Sequence, residues 1–221
     1  VSANTDSGFS VVTYSGSNSA GSFGHGLNQA PDLVLIKQRN DTGFWAVGAD
    51  INEWTWSSDF LQLQATAAKA TNGGTTIFTS APTSTVVNIG GGSVTSTSGK
   101  NLVAYCFHNV EGYQKVGTWE GDGGTDGPVV YCGFRPAFVF MKNIDDTENW
   151  LIYDNKRDLF NVTDEALLPN SASASGGSAN AMDFLSNGFK LRSGAGSLNG
   201  NAKTFLFLAI ADQPQKYANA K

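Results

Sequence analysis

Short apolar runs that alternate with glycine-rich turns make up most of this chain. One apolar run follows Pro31 and another follows Pro136, and their length of about six residues is typical of buried strands. The segment Phe189-Lys190-Leu191-Arg192 alternates between apolar and charged residues, as a half-buried strand does, directly after the turn signal Asn187-Gly188. These patterns predict β-strands at both ends of the chain.

Helical periodicity is scarce, and only residues 59–70 and 163–168 favour one or two helical turns. Many short strands between closely spaced turns are typical of sandwiches and jelly rolls. The pattern therefore predicts an all-β fold of antiparallel β-sandwich or jelly-roll-like halves with few short helical turns. Further turn signals are Ser15-Gly16, Asp41-Thr42-Gly43, Asn72-Gly73-Gly74, Gly90-Gly91-Gly92 and Asp122-Gly123-Gly124.

The same order of motifs occurs twice along the chain. From Pro31 and Pro136 onward, matching residues lie 105 positions apart. A duplication of this kind predicts two copies of one folded unit. The matched segments are 8–12 with 112–116, 14–16 with 119–121, 25–27 with 132–134, 31–37 with 136–142, and 41–45 with 146–150.

Both copies end with an apolar run, at 101–107 and at 203–209. The residues that follow the first run, 108–116, also open the second copy, and no Pro- or Ser-rich spacer separates the two. We therefore expect two tandem β-sandwich repeats, 1–110 and 111–221, which pack as a compact pair without a linker and share a boundary strand.

The copies share glycine, proline and aromatic residues, whereas His25 has Cys132 as its counterpart. What was duplicated is therefore interpreted as a scaffold and not as a catalytic centre. Any surface that carries a specific function is expected where the copies differ, around residues 51–97 and 158–180.

Composition and charge exclude several classes of function. Only 15% of the residues are charged and the net charge is −5, with the lysines and arginines scattered, so the clustered basic face that nucleic-acid binding requires is not expected. No apolar run is long enough to span a membrane and the start is unlike a signal peptide, so membrane insertion is not expected. Because the sequence lacks an initial Met, we expect a processed chain or part of a longer one.

Residues suited to catalysis are few. His25 lies in a Gly-His-Gly turn and His108 follows an aromatic run, so both are interpreted as structural. Cys106 and Cys132 lie in aromatic runs without metal-site spacing, which favours two buried thiols and leaves a disulfide as the alternative. No hydrolase, metalloprotease, P-loop or kinase motif is present, so we expect no enzyme, no cofactor and no metal site.

Clustered carboxylates leave a glycosidase-type acid pair as an alternative. Sequence spacing in loops does not determine distance in space, so these acids are interpreted as solvated turn residues. The polar run 153–158 is expected to hold a loop through ion pairs or to face a neighbouring subunit. The acids concerned are Asp145, Asp146, Glu148, Asp154 and Asp158.

Three tryptophans are candidates for surface recognition. Trp54 and Trp56 are two residues apart and lie on one face of a strand or turn, and Trp119 follows the opening strand of the second copy. Flat exposed aromatic rings stack on sugars or anchor a protein partner. Packing in the core or between the copies is the alternative for these residues.

Taken together, the motifs resemble a poorly characterised domain of tailed-bacteriophage virion proteins, often tail-fibre or tail-tip proteins. The resemblance spans nearly the whole chain and offers no catalytic residues. It implies a structural or adhesive role on the virion, at the surface of an extracellular particle. The motifs that carry it are 8–12 with Tyr14, 24–27 with 30–31, 104–107, 130–139, 150–158, 184–192 and 216–221.

The sequence therefore predicts a non-enzymatic virion module of tail-fibre, tail-tip or surface-decoration type. Its expected partners are other virion proteins and further copies of itself, with a trimer favoured, and a host surface glycan or protein. A carbohydrate-binding module or lectin-like domain, with the three tryptophans as platforms, is the alternative.

Overall fold

The computed structural model describes residues 1–71, 77–92 and 94–213. Within them are sixteen strands and one short helix, and the paired strands form antiparallel sheets, which confirms the predicted all-β class. The predicted turn at Asn72-Gly73-Gly74 and the chain end at 216–221 lie outside the described residues.

The chain divides into two compact units, Val1–Asn109 and Val110–Lys221. In unit 1 the strand order of the larger sheet is β1-β2-β8-β4-β5-β6, and β3 pairs with β7 in a second sheet. The strands of unit 1 are β1 (Ser2–Asn4), β2 (Phe9–Ser15), β3 (Gly21–Gly24), β4 (Leu33–Gln38), β5 (Ala46–Ala49), β6 (Leu61–Gln62), β7 (Val86–Ile89) and β8 (Asn101–Phe107).

Unit 2 contains two four-stranded sheets, with the orders β9-β16-β11-β12 and β10-β15-β14-β13. Its elements are β9 (Gln114–Glu120), β10 (Val129–Tyr131), β11 (Pro136–Asn143), β12 (Leu151–Asp154), β13 (Thr163–Ala166), β14 (Gly176–Leu185), β15 (Gly188–Leu191), α1 (Gly196–Asn199) and β16 (Thr204–Ala211).

The order of four strands is the same in both units: β2-β8-β4-β5 in unit 1 and β9-β16-β11-β12 in unit 2. The pairing register agrees as well, because Val34 lies opposite Cys106 just as Val139 lies opposite Ala209. In each unit, side chains from this sheet meet those of the second sheet in one hydrophobic core. Two sheets that face each other across a common core form a sandwich, so the predicted sandwich class is confirmed.

The register corrects the sequence matching at both ends of the copies. Val11 lies opposite Tyr105 and Val116 lies opposite Leu208, so the opening strands match at 105 residues and the closing strands at 103. The sequence matching had paired the closing strands, and the segment 8–12 with 112–116, one residue out of register, whereas it had matched 14–16 with 119–121 correctly. A one-residue shift reverses the face on which every side chain lies, so only the register identifies the true counterparts.

Large and small side chains exchange places between the two cores. In unit 1, Val12 lies opposite Ala104. In unit 2, Gly117 lies opposite Phe207, and a Cβ atom on Gly117 would lie 2.9 Å from Cε1 of that ring. The exchange keeps the filled volume similar across the pair, which is how cores tolerate sequence divergence.

A lysine holds the same loop in both units. Lys37 Nζ donates to the carbonyl oxygens of Asp41 at 3.0 Å and Gly43 at 2.6 Å. Its counterpart Lys142 is fully buried and donates to the carbonyl of Asp146 at 3.0 Å. Burial lowers the pKa of Lys142 to about 8, against the opposing effect of nearby carboxylates. The lysine was therefore duplicated as part of the scaffold.

A second lysine closes the same loop from the closing strand. Lys100 forms an ion pair with Asp41 at 2.8 Å, and Lys203 forms one with Asp146 at 3.0 Å. Neither ion pair is deeply buried, so each fixes the position of the loop more than it stabilises the fold.

Two predictions about local structure are wrong. Residues 163–168 do not form helical turns, because Thr163–Ala166 is strand β13 and pairs with β14, and tertiary pairing overrides local preference. Residues 59–70 contain strand β6, and the described helix is α1.

The predicted boundary strand is not shared between the copies. β8 pairs with β2 and β4 in unit 1, whereas β9 pairs with β16 in unit 2. Each unit therefore has its own edge and closing strands. The close packing of the two halves stays a prediction.

Candidate recognition surface

Trp119 is a core residue and not a surface platform. It is 8% exposed, stacks on Phe205 with ring centroids 4.8 Å apart, and meets Phe189 edge to face at 5.5 Å. Its counterpart Tyr14 likewise stacks on Phe23, at 4.7 Å. The aromatic residue at this position of the opening strand belongs to the duplicated core, which corrects the recognition role predicted for Trp119.

Trp56 is also buried, at 6% exposure, and the reason lies in β5. Its ring packs edge to face on Phe78 at 5.1 Å. A Cβ atom on Gly48 would overlap Cζ3 of Trp56 and would lie 2.7 Å from Cε2 of Phe78. The counterpart of Gly48 is Tyr153, which is itself fully buried. In unit 1, the loop residue Trp56 therefore fills the space that the strand residue Tyr153 fills in unit 2. The prediction that Trp56 is a surface platform is wrong.

Trp54 is half-buried and keeps some access to solvent. Its ring lies 6.4 Å from that of Trp56, and Lys69 Nζ lies 5.7 Å from the centroid of the Trp54 ring. Lys69 in turn donates to the carbonyl of Glu53 at 2.7 Å and pairs with Asp59 at 3.3 Å. Of the three predicted tryptophans, Trp54 alone is half-buried and not buried, and the Lys69 ammonium lies over its ring.

The two histidines are occupied by structural hydrogen bonds. The backbone N–H of Leu27 donates to His25 Nδ1 at 3.1 Å, and His25 Nε2 donates to the carbonyl of Thr83 at 3.1 Å. This pairing requires the neutral ring with the proton on Nε2, and burial lowers the pKa of His25. The Gln29 amide lies 2.6 Å from Nδ1 of the buried His108. Both environments match the structural interpretation of these residues.

The clustered carboxylates hold backbone and lysine groups. Asp145 accepts a hydrogen bond from the backbone N–H of Thr204 at 2.7 Å, next to the ion pair of Asp146 with Lys203. In unit 1, Asn40 accepts from the backbone N–H of Asn101 at 2.9 Å in the equivalent place. The equivalent hydrogen bond in both units shows that Asp145 holds the backbone of the closing strand, as the Asn40 amide does in unit 1.

Both cysteines are buried and free, as the sequence favoured. Burial raises the pKa of the Cys106 and Cys132 thiols to about 12. Among the described residues, no group of three or more His, Cys, Asp and Glu side chains is placed to hold a metal ion. The part of the chain that the structure describes also contains no helix with the length and apolar content that a membrane-crossing segment needs.

The loop between β12 and β13 exposes apolar side chains, and we call residues 155–162 the apolar loop. Phe160 is 83% exposed and Leu159 is 67% exposed, and Val162 is exposed as well. Large apolar side chains that are exposed next to one another are typical of interaction sites. The loop lies in a region where the two copies differ.

Three polar side chains hold the apolar loop in place. Asp154 accepts hydrogen bonds from the backbone of residues 156 and 157 at 2.9 Å and forms an ion pair with the Arg157 side chain. Asp158 accepts from the backbone of residues 164 and 165 at 2.9 and 2.8 Å. Asn161 both donates to and accepts from the backbone of Phe184, at 3.0 and 2.9 Å. Leu159 and Phe160 therefore lie between two fixed points.

A second exposed apolar surface lies on β10, and we call Val129, Tyr131 and Lys115 the Tyr131 patch. Tyr131 is 63% exposed and Val129 is 52% exposed. Lys115 Nζ lies 5.4 Å from the centroid of the Tyr131 ring and donates to the Tyr131 carbonyl at 2.8 Å. Lys115 belongs to β9 of the other sheet, and β10 is the edge strand of its own sheet, so the patch lies at a sheet edge.

Sequence reasoning predicted the ion-paired polar run 153–158 but missed the side chains beside it. Leu159 and Phe160 are adjacent, and adjacent positions of an extended segment face opposite ways. Two adjacent large apolar residues that follow a polar run and belong to no strand pattern therefore indicate that at least one side chain is exposed. Tyr131 gave no such signal, because its neighbours in the sequence are buried strand residues.

Comparison with curated proteins and with solved structures finds no match to the chain. A scan against protein-family models finds one described as a domain of unknown function, DUF7483, which matches residues 1–214. The match covers both sandwich units and therefore includes the duplication, the apolar loop and the Tyr131 patch. The chain belongs to the DUF7483 family.

Proposed function

We propose that this chain is a non-enzymatic structural module of a tailed-bacteriophage virion, of tail-fibre, tail-tip or surface-decoration type. The observation that carries the proposal is the distribution of exposed apolar side chains. Among the described residues, six of the seven exposed large hydrophobic side chains lie in unit 2, at the apolar loop, the Tyr131 patch and Leu167. A chain that acts by binding other macromolecules requires surfaces of this kind.

The use of the polar residues supports a binding role over a catalytic one. His25 and the Asp145–Asp146 pair are occupied by bonds that hold the backbone. Catalytic acids and bases need to reach a substrate in a cleft, with pKa values adjusted to the reaction. These polar residues hold the backbone in place, so the exposed apolar side chains are the groups that are available to contact a partner.

The placement on a virion rests on the resemblance of the motifs to tail-fibre and tail-tip domains. Its partners are then other virion proteins and further copies of itself, with a trimer favoured, and its location is the outer surface of the particle. Host attachment to a surface glycan or protein would gain strength from several copies acting together. Neither nucleic-acid binding nor membrane insertion is part of this proposal.

Immunogold electron microscopy tests the placement. Antibodies raised against the folded chain are applied to purified phage particles whose genome encodes it. We expect gold at one defined position, on the tail or on the capsid surface, and no gold when the antibodies are first absorbed with the purified chain. Particles without specific label, from a preparation whose lysate contains the chain, would contradict the proposal.

A carbohydrate-binding module is the second candidate, and the half-buried position of Trp54 is the observation that favours it. Lys69 beside the ring supplies a hydrogen-bond donor next to an aromatic face. A glycan array probed with the wild-type chain and with Trp54→Ala tests this function. A hit that the substitution abolishes would support it, and wild-type binding to no glycan would exclude it.

A further inference from the structure

We infer that the apolar loop of one copy of this chain docks on the Tyr131 patch of a second copy, head to tail. The inference deepens the proposed function, because it rests on the homo-oligomer proposed there and assigns its contact surfaces. The occupant of both surfaces is a second copy of the same chain, and the argument uses their chemistry, their charge and their places on one sheet.

The apolar loop has the properties of an anchor. Phe160 is the most exposed of the large hydrophobic side chains in the described part of the chain, and Leu159 is beside it. The bonds of Asp158 and Asn161 fix the backbone on either side. A side chain that is already held in place loses less conformational freedom on binding, which favours association. Buried aromatic anchors supply much of the binding energy at protein interfaces.

The corresponding loop of unit 1 has its aromatic residues on the inside. Trp56 is buried against Phe78, and Phe60 stacks on Phe44 with centroids 5.7 Å apart. Asp59 holds that loop by accepting from the backbone N–H of Thr55 at 2.8 Å. Both copies thus have an anchored loop with aromatic side chains, but only the loop of unit 2 holds one that is fully exposed, Phe160, whereas Trp54 and Phe60 in unit 1 are half-buried. The outward aromatic side chain is therefore a feature acquired on top of the shared scaffold.

The two surfaces carry opposite charge. Around the apolar loop, Asp158, Asp164 and Glu165 are half-buried, and Lys156 is the exposed cation. Arg157 is neutralised by its ion pair with Asp154. These charges leave the surroundings of the loop negative. An anionic bilayer would repel such a loop, so a membrane surface is disfavoured as its occupant.

The Tyr131 patch offers the complementary positive charge. Lys115 Nζ lies over the Tyr131 ring, 5.4 Å from its centroid. Across the strand pair, Lys190 lies opposite Val129 and is neutralised by Asp126 at 3.1 Å. The exposed apolar side chains of the patch therefore lie beside one cation, Lys115. Complementary charge around an apolar centre steers partners together and fixes their register.

The two surfaces lie at opposite ends of one strand order, β10-β15-β14-β13. The Tyr131 patch is on β10, and the apolar loop leads directly into β13. One copy therefore cannot satisfy its own patch with its own loop across the sheet, and each contact leaves one loop and one patch unused. Contacts of this heterologous kind close into rings when the rotation between neighbours allows it. A closed ring of three agrees with the trimer of the proposed function.

Sedimentation equilibrium of the full chain, with two single variants, tests the inference. We expect the wild-type chain to self-associate, and we expect Phe160→Ser and Tyr131→Ser each to weaken the association constant by about tenfold or more. Val1→Ser is the matched control, because Val1 is 72% exposed but lies outside both surfaces. Circular dichroism and the unfolding midpoint check that each variant keeps its fold, as exposed sites allow.

Mixing the two variants gives the decisive result. Phe160→Ser retains an intact Tyr131 patch and Tyr131→Ser retains an intact apolar loop, so an equimolar mixture can form one good contact per pair. At a concentration at which each variant alone is monomeric, we expect the mixture to form dimers that grow no further. A mixture that stays monomeric while the wild-type associates would overturn the head-to-tail contact.

Other outcomes separate this inference from the proposed function. A wild-type chain that is monomeric at every concentration, or variants that associate like the wild type, would overturn the inference. Neither result depends on whether gold label is found on particles. Conversely, normal self-association without any particle label would support the contact and count against the virion role.

Discussion

Gly48 is the position that decides where the tryptophan of the unit 1 loop lies, and substituting it tests this directly. In Gly48→Ala, the new methyl group would overlap Cζ3 of Trp56 and would lie 2.7 Å from Cε2 of Phe78. Overpacking of a core in this way costs about 1–3 kcal/mol. Replacing glycine by alanine inside a strand returns about 0.5–1 kcal/mol. We therefore expect Gly48→Ala to lower the free energy of unfolding by about 1–2 kcal/mol.

The reasoning is tested by a double-mutant cycle with Trp56→Ala. That substitution alone is expected to cost about 3–5 kcal/mol, because it removes a buried aromatic side chain. In its presence the overlap with Trp56 is gone and the Phe78 ring has space to move away from the new methyl group, so adding Gly48→Ala is expected to be neutral or to stabilise by about 0.5 kcal/mol. The coupling energy between the two sites is then about 2 kcal/mol.

Urea denaturation followed by far-ultraviolet circular dichroism measures the cycle, since that signal does not depend on the removed tryptophan. Gly21→Ala is the control, because a Cβ atom at Gly21 meets nothing within 4 Å. It is expected to be neutral or slightly stabilising. Additivity of the two substitutions within about 0.5 kcal/mol would refute the packing account of Trp56.

Three further predictions follow from the scaffold. Because burial lowers the pKa of His25 in the folded state, the folded chain binds fewer protons than the unfolded chain. The free energy of unfolding is therefore expected to fall as the pH drops below about 6.5. Measured from pH 7 to 5, this fall is expected to be shallower in His25→Gln. Gly16→Ala is expected to lower the unfolding midpoint, because its methyl group would overlap the carbonyl of Thr97, and a wild-type midpoint would contradict this packing. Cys106 and Cys132 are expected to resist a thiol reagent at pH 8 in the native chain and to react fully in urea, because burial raises both thiol pKa values to about 12. Rapid labelling of the native chain would contradict this expectation.

Much of the scaffold could be predicted from the sequence because its strands repeat. The apolar runs after Pro31 and Pro136 became β4 and β11 in equivalent positions of the two sheets. A buried strand needs a continuous apolar run, and that requirement is visible in one dimension. The exchange of Val12 and Ala104 for Gly117 and Phe207 could not be predicted, because it depends on which residues lie opposite each other across the strands.

The recognition surface was harder to predict for a related reason. Whether a loop aromatic residue turns inward depends on space left elsewhere, as Gly48 leaves it for Trp56 and Tyr153 denies it in unit 2. The outward position of Phe160 likewise depends on Asn161, which bonds to a residue 23 positions away. The ranges in which the copies diverge include Leu159 and Phe160 but not Tyr131, and the exposed side chains themselves were visible only in the structure.

The central claim, that this chain is a structural module of a virion, is tested most directly by its copy number in purified particles. Quantitative mass spectrometry with isotope-labelled peptides, normalised to the major capsid protein, gives that number after density-gradient purification. We predict a fixed copy number in every preparation, in multiples of three if the ring is a trimer. A chain that is abundant in the lysate but absent from the purified particles, or present in varying trace amounts, would contradict the claim.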